Sequence, residues 1–310
     1  MTALTEAAEA DPRVMLVVGD LGFGVVTRFR DRFPRQFVNA GVAEQNMTGL
    51  AAGLALSGRV ALTYSIANFP VVRCLEQIRN DICYHKANVK IVAVGGGYSY
   101  GSLGASHHAT EDLAIMRALP NMLVTAPGDP VEASLVTKAL LAHPGPAYLR
   151  LGRDGEPRVH AESPSTFRLG EALTLRQGDD VALITTGAVL SEAVGASDLL
   201  REIGIRARVL SMHTVKPLDT AAVLAAARET KLIVTVEEHS LVGGLGSAVA
   251  ETLIDENAVS TRLVRIGLPD AFSATVGDQA YLRAHNRIDA VGITEQVVTA
   301  FSQRPVLSVV

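Results

Sequence analysis

The 310-residue sequence predicts an α/β protein of two domains in series, the first built on a parallel sheet and the second smaller. Three observations carry that prediction. The length fits two domains of roughly 150 residues better than one. Short, continuously apolar runs alternate with helical patterns, as strands buried on both faces of a parallel sheet should. Between residues 152 and 168 the rhythm stops in a polar, turn-forming stretch holding Gly152, Gly155, Pro157 and Pro164.

The elements follow in order. Strands are expected at residues 14–18, 60–64, 89–94, 122–125 and 147–151 in the first half. The second half repeats the pattern at 181–185, 205–210, 232–236 and 263–266, with helices at 190–203 and 247–253. Hydrophobic residues make up 48% and charged residues 19%, with 5% aromatics and no tryptophan, which suits packed βα units. A net charge of -4 offers no positive field for a phosphodiester backbone, so a general nucleic-acid binder is not expected. Cys74 and Cys83 are the only cysteines, nine apart in one expected helix, about 13 Å along its axis and too far to pair. No apolar run reaches the roughly 20 residues of a membrane span. With so few cysteines and an acidic N-terminal stretch (Glu6, Glu9, Asp11), a soluble cytoplasmic protein is expected.

Two glycine-rich segments invite ligand readings. The run Gly19 to Gly24 follows a strand, but a dinucleotide G-x-G-x-x-G register starting at Gly22 meets Thr27 where the third glycine belongs. The run Gly243-Gly244-Leu245-Gly246 lies between a strand and a helix, where bare amides could hold an anion. Close packing of a strand-to-helix turn explains the same glycines without a ligand.

The segment from Phe37 to Leu54 reads as a strand, a tight turn and a helix of small residues. Gly49 and Gly53, four apart around Ala51 and Ala52, cost helix propensity that packing must offset, so this helix is expected to be buried. Glu44 opens it. Desolvation there would raise the carboxyl pKa and the helix N-terminus would lower it, and a simple capping role suits the same residue.

The phrase Gly41-Val42-Ala43-Glu44-Gln45 resembles the segment bearing the catalytic glutamate of the transketolase and deoxyxylulose-phosphate synthase superfamily. The resemblance covers nearly the whole chain. It implies a pyrimidine-binding domain at 1–155, a linker at 156–168 and a transketolase C-terminal domain at 169–310. It also implies that Glu44 hydrogen-bonds the aminopyrimidine of thiamine diphosphate and so activates the cofactor. The stretch 68–79 is similar to the family's aromatic-and-arginine helix, making Phe69 the candidate ring against the pyrimidine and Arg73 its neighbour; a core role suits Phe69 as well. His107, ending the loop Gly101 to His108, matches a histidine that contacts substrate, where solvation is the alternative. Arg153 matches an arginine that holds the acceptor's phosphate, for which a guanidinium fork is suited, or is merely solvated. Asp20 matches an aspartate near the cofactor, or closes a strand-end turn. Segments 215–219 and 237–247 resemble the C-terminal domain, where His239 is expected to be structural or interfacial.

The same resemblance implies a partner. A thiamine diphosphate and Mg2+ site has Gly-Asp-Gly followed about 25 to 30 residues later by Asn-Asn, bridging metal to diphosphate. Here Gly19-Asp20 is followed by Leu21 and Asn46 by Met47, so diphosphate and metal are assigned to a separately encoded N-terminal subunit, in an α2β2 assembly, and no metal ligand to this chain. The implied reaction transfers a two-carbon ketol unit from a ketose, or ketose phosphate, to an aldose. Leu103, Gly95 and Gly96 stand where transketolase proper has polar donor-reading residues, which puts the donor in doubt. Rival readings are the β subunit of a 2-oxo acid dehydrogenase and a deoxyxylulose-phosphate synthase-like enzyme. From a different class, the chain could be a silent scaffold, against which Glu44 argues.

Overall fold

The computed structural model describes residues 1–258 and 261–302; the last eight residues of the expected second domain lie outside the described residues. Among the described residues twelve strands form two sheets. They are β1 (Val14–Val18), β2 (Phe37–Asn39), β3 (Val60–Ile66), β4 (Val89–Val94), β5 (Leu123–Thr125), β6 (Ala147–Leu151), β7 (Leu173–Arg176), β8 (Val181–Thr186), β9 (Ala207–Ser211), β10 (Thr214–Lys216), β11 (Leu232–Ser240) and β12 (Arg262–Leu268). The first sheet runs β10-β5-β6-β4-β3-β1-β2 and the second β12-β11-β8-β9-β7. Every pairing is parallel except β10 with β5 and β7 with β9.

The continuous apolar runs do what a two-faced strand must. Successive residues point to opposite faces, so Leu16 enters the core under the helices Thr2–Ala10 and Pro130–Ala142, while Val17 enters the one packed by Met47, Ile78 and Leu113. The second sheet is covered likewise, with Leu183 and Val234 on one face and Ile184 and Ile233 on the other. No helix of the described residues is long and apolar enough to cross a membrane.

Two expectations need correction. Residues 68–83 are not one helix but Asn68–Val71, Leu75–Gln77 and a π-helical stretch Ile78–Cys83. Pro70 contributes no amide donor there, and wide turns of this kind recur where a helix is bent around a site. Both cysteines are free and buried. The helix Glu44–Leu56 is buried on one side only: Met47, Thr48, Ala51 and Ala52 face the core, whereas Gly53 is exposed and Leu50 and Leu56 are 40% and 60% exposed. β10 comes from the second half of the chain yet completes the edge of the first sheet.

Candidate active site

The site starts at the parallel pair β1–β2, whose C-terminal ends bring Gly19-Asp20 beside Asn39. The Asn39 amide stitches the two together. Its Oδ1 accepts from the Asp20 and Gly41 amides, each at 3.0 Å, and its Nδ2 donates to Asp20 Oδ1 at 2.9 Å. Asp20 and Gly41 both take positive φ (55° and 75°), turning the chain just past each strand, and the turn at Gly41 leads within three residues to the helix start at Glu44.

Glu44 is the first residue of that helix and only 3% exposed. A carboxylate is favoured there by the unpaired amides of the first turn. Among the described residues its one side-chain partner is Arg73, whose Nη1 donates to Oε2 at 2.7 Å. Arg73 itself is half exposed, so the ion pair runs from the interior to the surface. Its guanidinium also lies 4.9 Å from the Phe69 ring centre, and that ring meets the His107 imidazole edge-on at 5.3 Å. Asn68 ties the two segments by donating to the carbonyls of Ser106 (3.2 Å) and His108 (2.5 Å). Four expected site residues thus form one row: Glu44, Arg73, Phe69 and His107. A pocket of about 490 Å³ opens beside Phe69 and Arg73 and is lined on its other side by Ser240 and Phe272 of the second half.

Asp20 joins this row only through Asn39 and the turn. Arg153 stands apart from it. Its guanidinium lies over Tyr100 at 5.6 Å and lines a separate cleft of about 1160 Å³ with Arg28 and Tyr64. Burial and the nearby Tyr100 push the Tyr64 hydroxyl up to about 12, so the Tyr64 phenol stays a protonated donor at neutral pH.

Sequence reasoning missed Asn39 and Tyr100. An asparagine at a strand end two residues before a glycine is an Asx-turn signal that pointed to the first. Nothing marked Tyr100, whose ring sits so close to Gly95 that a Cβ there would collide with it; a Cβ at Gly96 would lie 2.5 Å from Arg150 Nε. Side chains at these two positions are excluded by this packing.

The second glycine run holds no vacant anion site. The Glu237 carboxylate takes the Leu245 and Gly246 amides at 2.7 and 2.8 Å, and a Cβ at Gly244 would strike it. Its carboxyl pKa is raised by complete burial, against the pull of His239 and those amides. His239 is interfacial, accepting from the Ala114 amide of the first half at 3.3 Å through Nε2, with Nδ1 2.7 Å from the Ser240 carbonyl.

Comparison with known proteins agrees with this architecture. Residues 1–156 match the family described as transketolase, pyrimidine binding domain, and residues 170–293 match transketolase, C-terminal domain. The chain is 42% identical over 291 residues to one of the subunits of the apulose-4-phosphate transketolase of Phocaeicola vulgatus, covering 94% of this chain and 92% of that one. It is 40% identical over 281 residues to the SqwH subunit of the 6-deoxy-6-sulfo-D-fructose transketolase of a Clostridium species, covering 90% and 86%. Among solved structures, a split-gene transketolase in an inactive β4 tetramer superposes with a TM-score of 0.87 at 38% identity, covering 97% of this chain and 96% of that one. A chain that carries these two domains in this order, and matches separately encoded transketolase subunits over nearly their whole length, belongs to the transketolase family as a split-type subunit.

Proposed function

We propose that this chain supplies the pyrimidine-side half of a two-component transketolase, which with a separately encoded diphosphate-binding subunit transfers a two-carbon ketol unit from a ketose or ketose phosphate to an aldose. The observation that carries the reading is the Glu44 carboxylate, buried at a helix start and paired with Arg73, in line with Phe69 and His107. Matches to named transketolase subunits favour it over a 2-oxo acid dehydrogenase subunit.

The family uses thiamine diphosphate, which when bound supplies the carbon nucleophile of the reaction. The residues present fit its pyrimidine end. A buried carboxylate with a free oxygen can share a proton with a ring nitrogen, and the part-exposed Phe69 ring offers a face for stacking. Glu44 is assigned the proton-sharing role, Arg73 holds it, and Asp20 borders the cofactor through the Asn39 turn. His107 is assigned hydrogen bonding to a substrate oxygen and Arg153 to the acceptor's phosphate. Tyr100, packed over Gly95, supports a donor pocket unlike that of transketolase proper.

Mg2+ and the diphosphate are assigned to the partner, in an α2β2 complex located in the cytoplasm, and the two domains to residues 1–155 and 169–310 around the linker. An open apolar rim supports a missing subunit: Val42, two residues before Glu44, and Val72, next to Arg73, are 76% and 57% exposed. The Gly49/Gly53 face is open beside them, and backbone from another chain could approach it closely. The test is reconstitution. Purified chain with thiamine diphosphate and Mg2+ should show no turnover, and addition of the diphosphate-binding subunit should restore ketol transfer. Full activity without a partner would overturn the division of labour.

A further inference from the structure

The loop that carries His107 is closed on itself and then gripped by the second half of the chain. Gly97 and Ala109 exchange both backbone hydrogen bonds, at 2.8 and 3.0 Å, so residues 97–109 form one closed excursion with His107 two residues from its end. Inside it His108 is buried, its Nε2 3.0 Å from the Gly101 carbonyl and its ring edge-on to Tyr98.

The grip centres on Glu238, at the end of β11. Its Oε1 accepts from the Tyr98 amide at 2.8 Å, and its Oε2 takes Arg283 Nε and Nη2 at 2.9 and 2.7 Å. Gln279 Nε2 reaches both carboxylate oxygens at 3.1 Å and Ser99 Oγ at 3.3 Å. From below, Arg150 Nη2 spans the Glu238 and Ala109 carbonyls at 3.0 and 2.7 Å. The fit leaves no slack. A Cβ at Gly97, where φ is +64°, would lie 2.6 Å from Glu238 Cγ, and one at Gly101 would lie 2.5 Å from Leu282 Cδ1.

Glu238 and Arg283 are both nearly buried. A paired, hydrogen-bonded charge network in a low-dielectric interior has one good arrangement, so it fixes the position of whatever it holds. What it holds here is the root of the His107 loop. We infer that Glu238 is a positioning residue of the reaction: from the C-terminal half it sets where His107 stands against Phe69 and the Glu44 pair. This rests on the role proposed for His107 and gives the C-terminal half a part in turnover beyond architecture.

The test uses the reconstituted complex carrying Glu238→Gln, which keeps an acceptor for Tyr98 but breaks the charge pairing, and Gln279→Ala, which leaves both charges paired should the first variant fold poorly. Amide exchange of residues 97–108 should rise roughly tenfold in either variant, with the helix Glu44–Leu56 and thiamine diphosphate affinity unchanged. The kcat should fall roughly tenfold in the wild-type background and not at all on top of His107→Ala, because two residues acting as one unit are not additive. Unchanged exchange in both variants, or losses that multiply with His107→Ala, would overturn the inference. If His107→Ala alone keeps its kcat, the reading of His107 fails, and a slow Glu238→Gln complex then shows that Glu238 does not act through it, which also overturns the inference.

Discussion

Arg73 and Glu44 form an ion pair of unequal halves, 2.7 Å apart with the carboxylate side chain 3% exposed and the guanidinium 51% exposed. The arginine serves as a plug between a dry carboxylate and water. Because Oε2 is committed to Arg73, Oε1 is the oxygen available to a ligand.

Glu44→Gln keeps the shape of the side chain and an acceptor for Arg73 but removes the group that can share a proton. The reconstituted complex should lose about 10²–10⁴ in kcat, the usual weight of a positioned acid or base. Its melting midpoint should stay within about 2 °C of wild type. Steady-state kinetics beside a thermal melt checks both, and an active Gln variant would remove Glu44 from the chemistry.

Arg73→Ala leaves the same carboxylate buried with no side-chain partner. A loss of about 1–3 kcal/mol in stability is expected, the range for an unsatisfied buried polar group, with the upper end discounted because Arg73 is half in solvent. Denaturant unfolding of the chain alone measures it. Arg73→Lys should recover only part, since one ammonium cannot both pair with Glu44 and lie flat on Phe69.

Gly53→Ala separates folding from assembly. A Cβ at Gly53 meets nothing within 4 Å, so the isolated chain should gain about 0.5–1 kcal/mol from helix propensity. If this face receives the partner, the same methyl should weaken association. Opposite movements in the melt and in the subunit dissociation constant are the expected result; an unaltered affinity would place the interface elsewhere.

Glu156 gives a pH signature. Burial pushes its carboxyl up to about 7, with Arg283 pulling the other way, and its Oε1 has no hydrogen-bond partner. The folded pKa lies above the unfolded value of 4.5, so the protonated form contributes its full stability below that value and loses it as pH rises through about 7. Glu156→Gln carries no such dependence. Its melting midpoint should exceed wild type by about 2–4 °C at pH 8 and converge on it at pH 5.

Much of this was legible in the chain itself. Runs such as Val14–Val18 and Val89–Val94 are apolar without alternation because both faces are covered, so parallel strands were readable residue by residue. Glu44, Phe69, Arg73 and His107 were each singled out as candidates by a local phrase, and the row they form was not, because it depends on side chains from three segments meeting. β7 and β10 escaped for a different reason. Four- and three-residue strands that pair antiparallel carry too few residues for a period, and Thr214–Lys216 acquires its partner from a strand some 90 positions earlier. The open glycine face was misread because propensity says only that something must compensate for the glycines, not that the compensation lies within the same polypeptide.

The β10–β5 pairing has a practical corollary for anyone dissecting the molecule. Thr214 and Lys216 lie against Thr125 and Val124, so the first sheet is sealed by residues from beyond the junction. Cutting the polypeptide in the turn-rich stretch would not release two self-sufficient modules. It would leave the amino-terminal piece with a naked β5 margin, a template for edge-to-edge aggregation, while the carboxyl-terminal piece would carry an orphaned ribbon with nothing to zip onto.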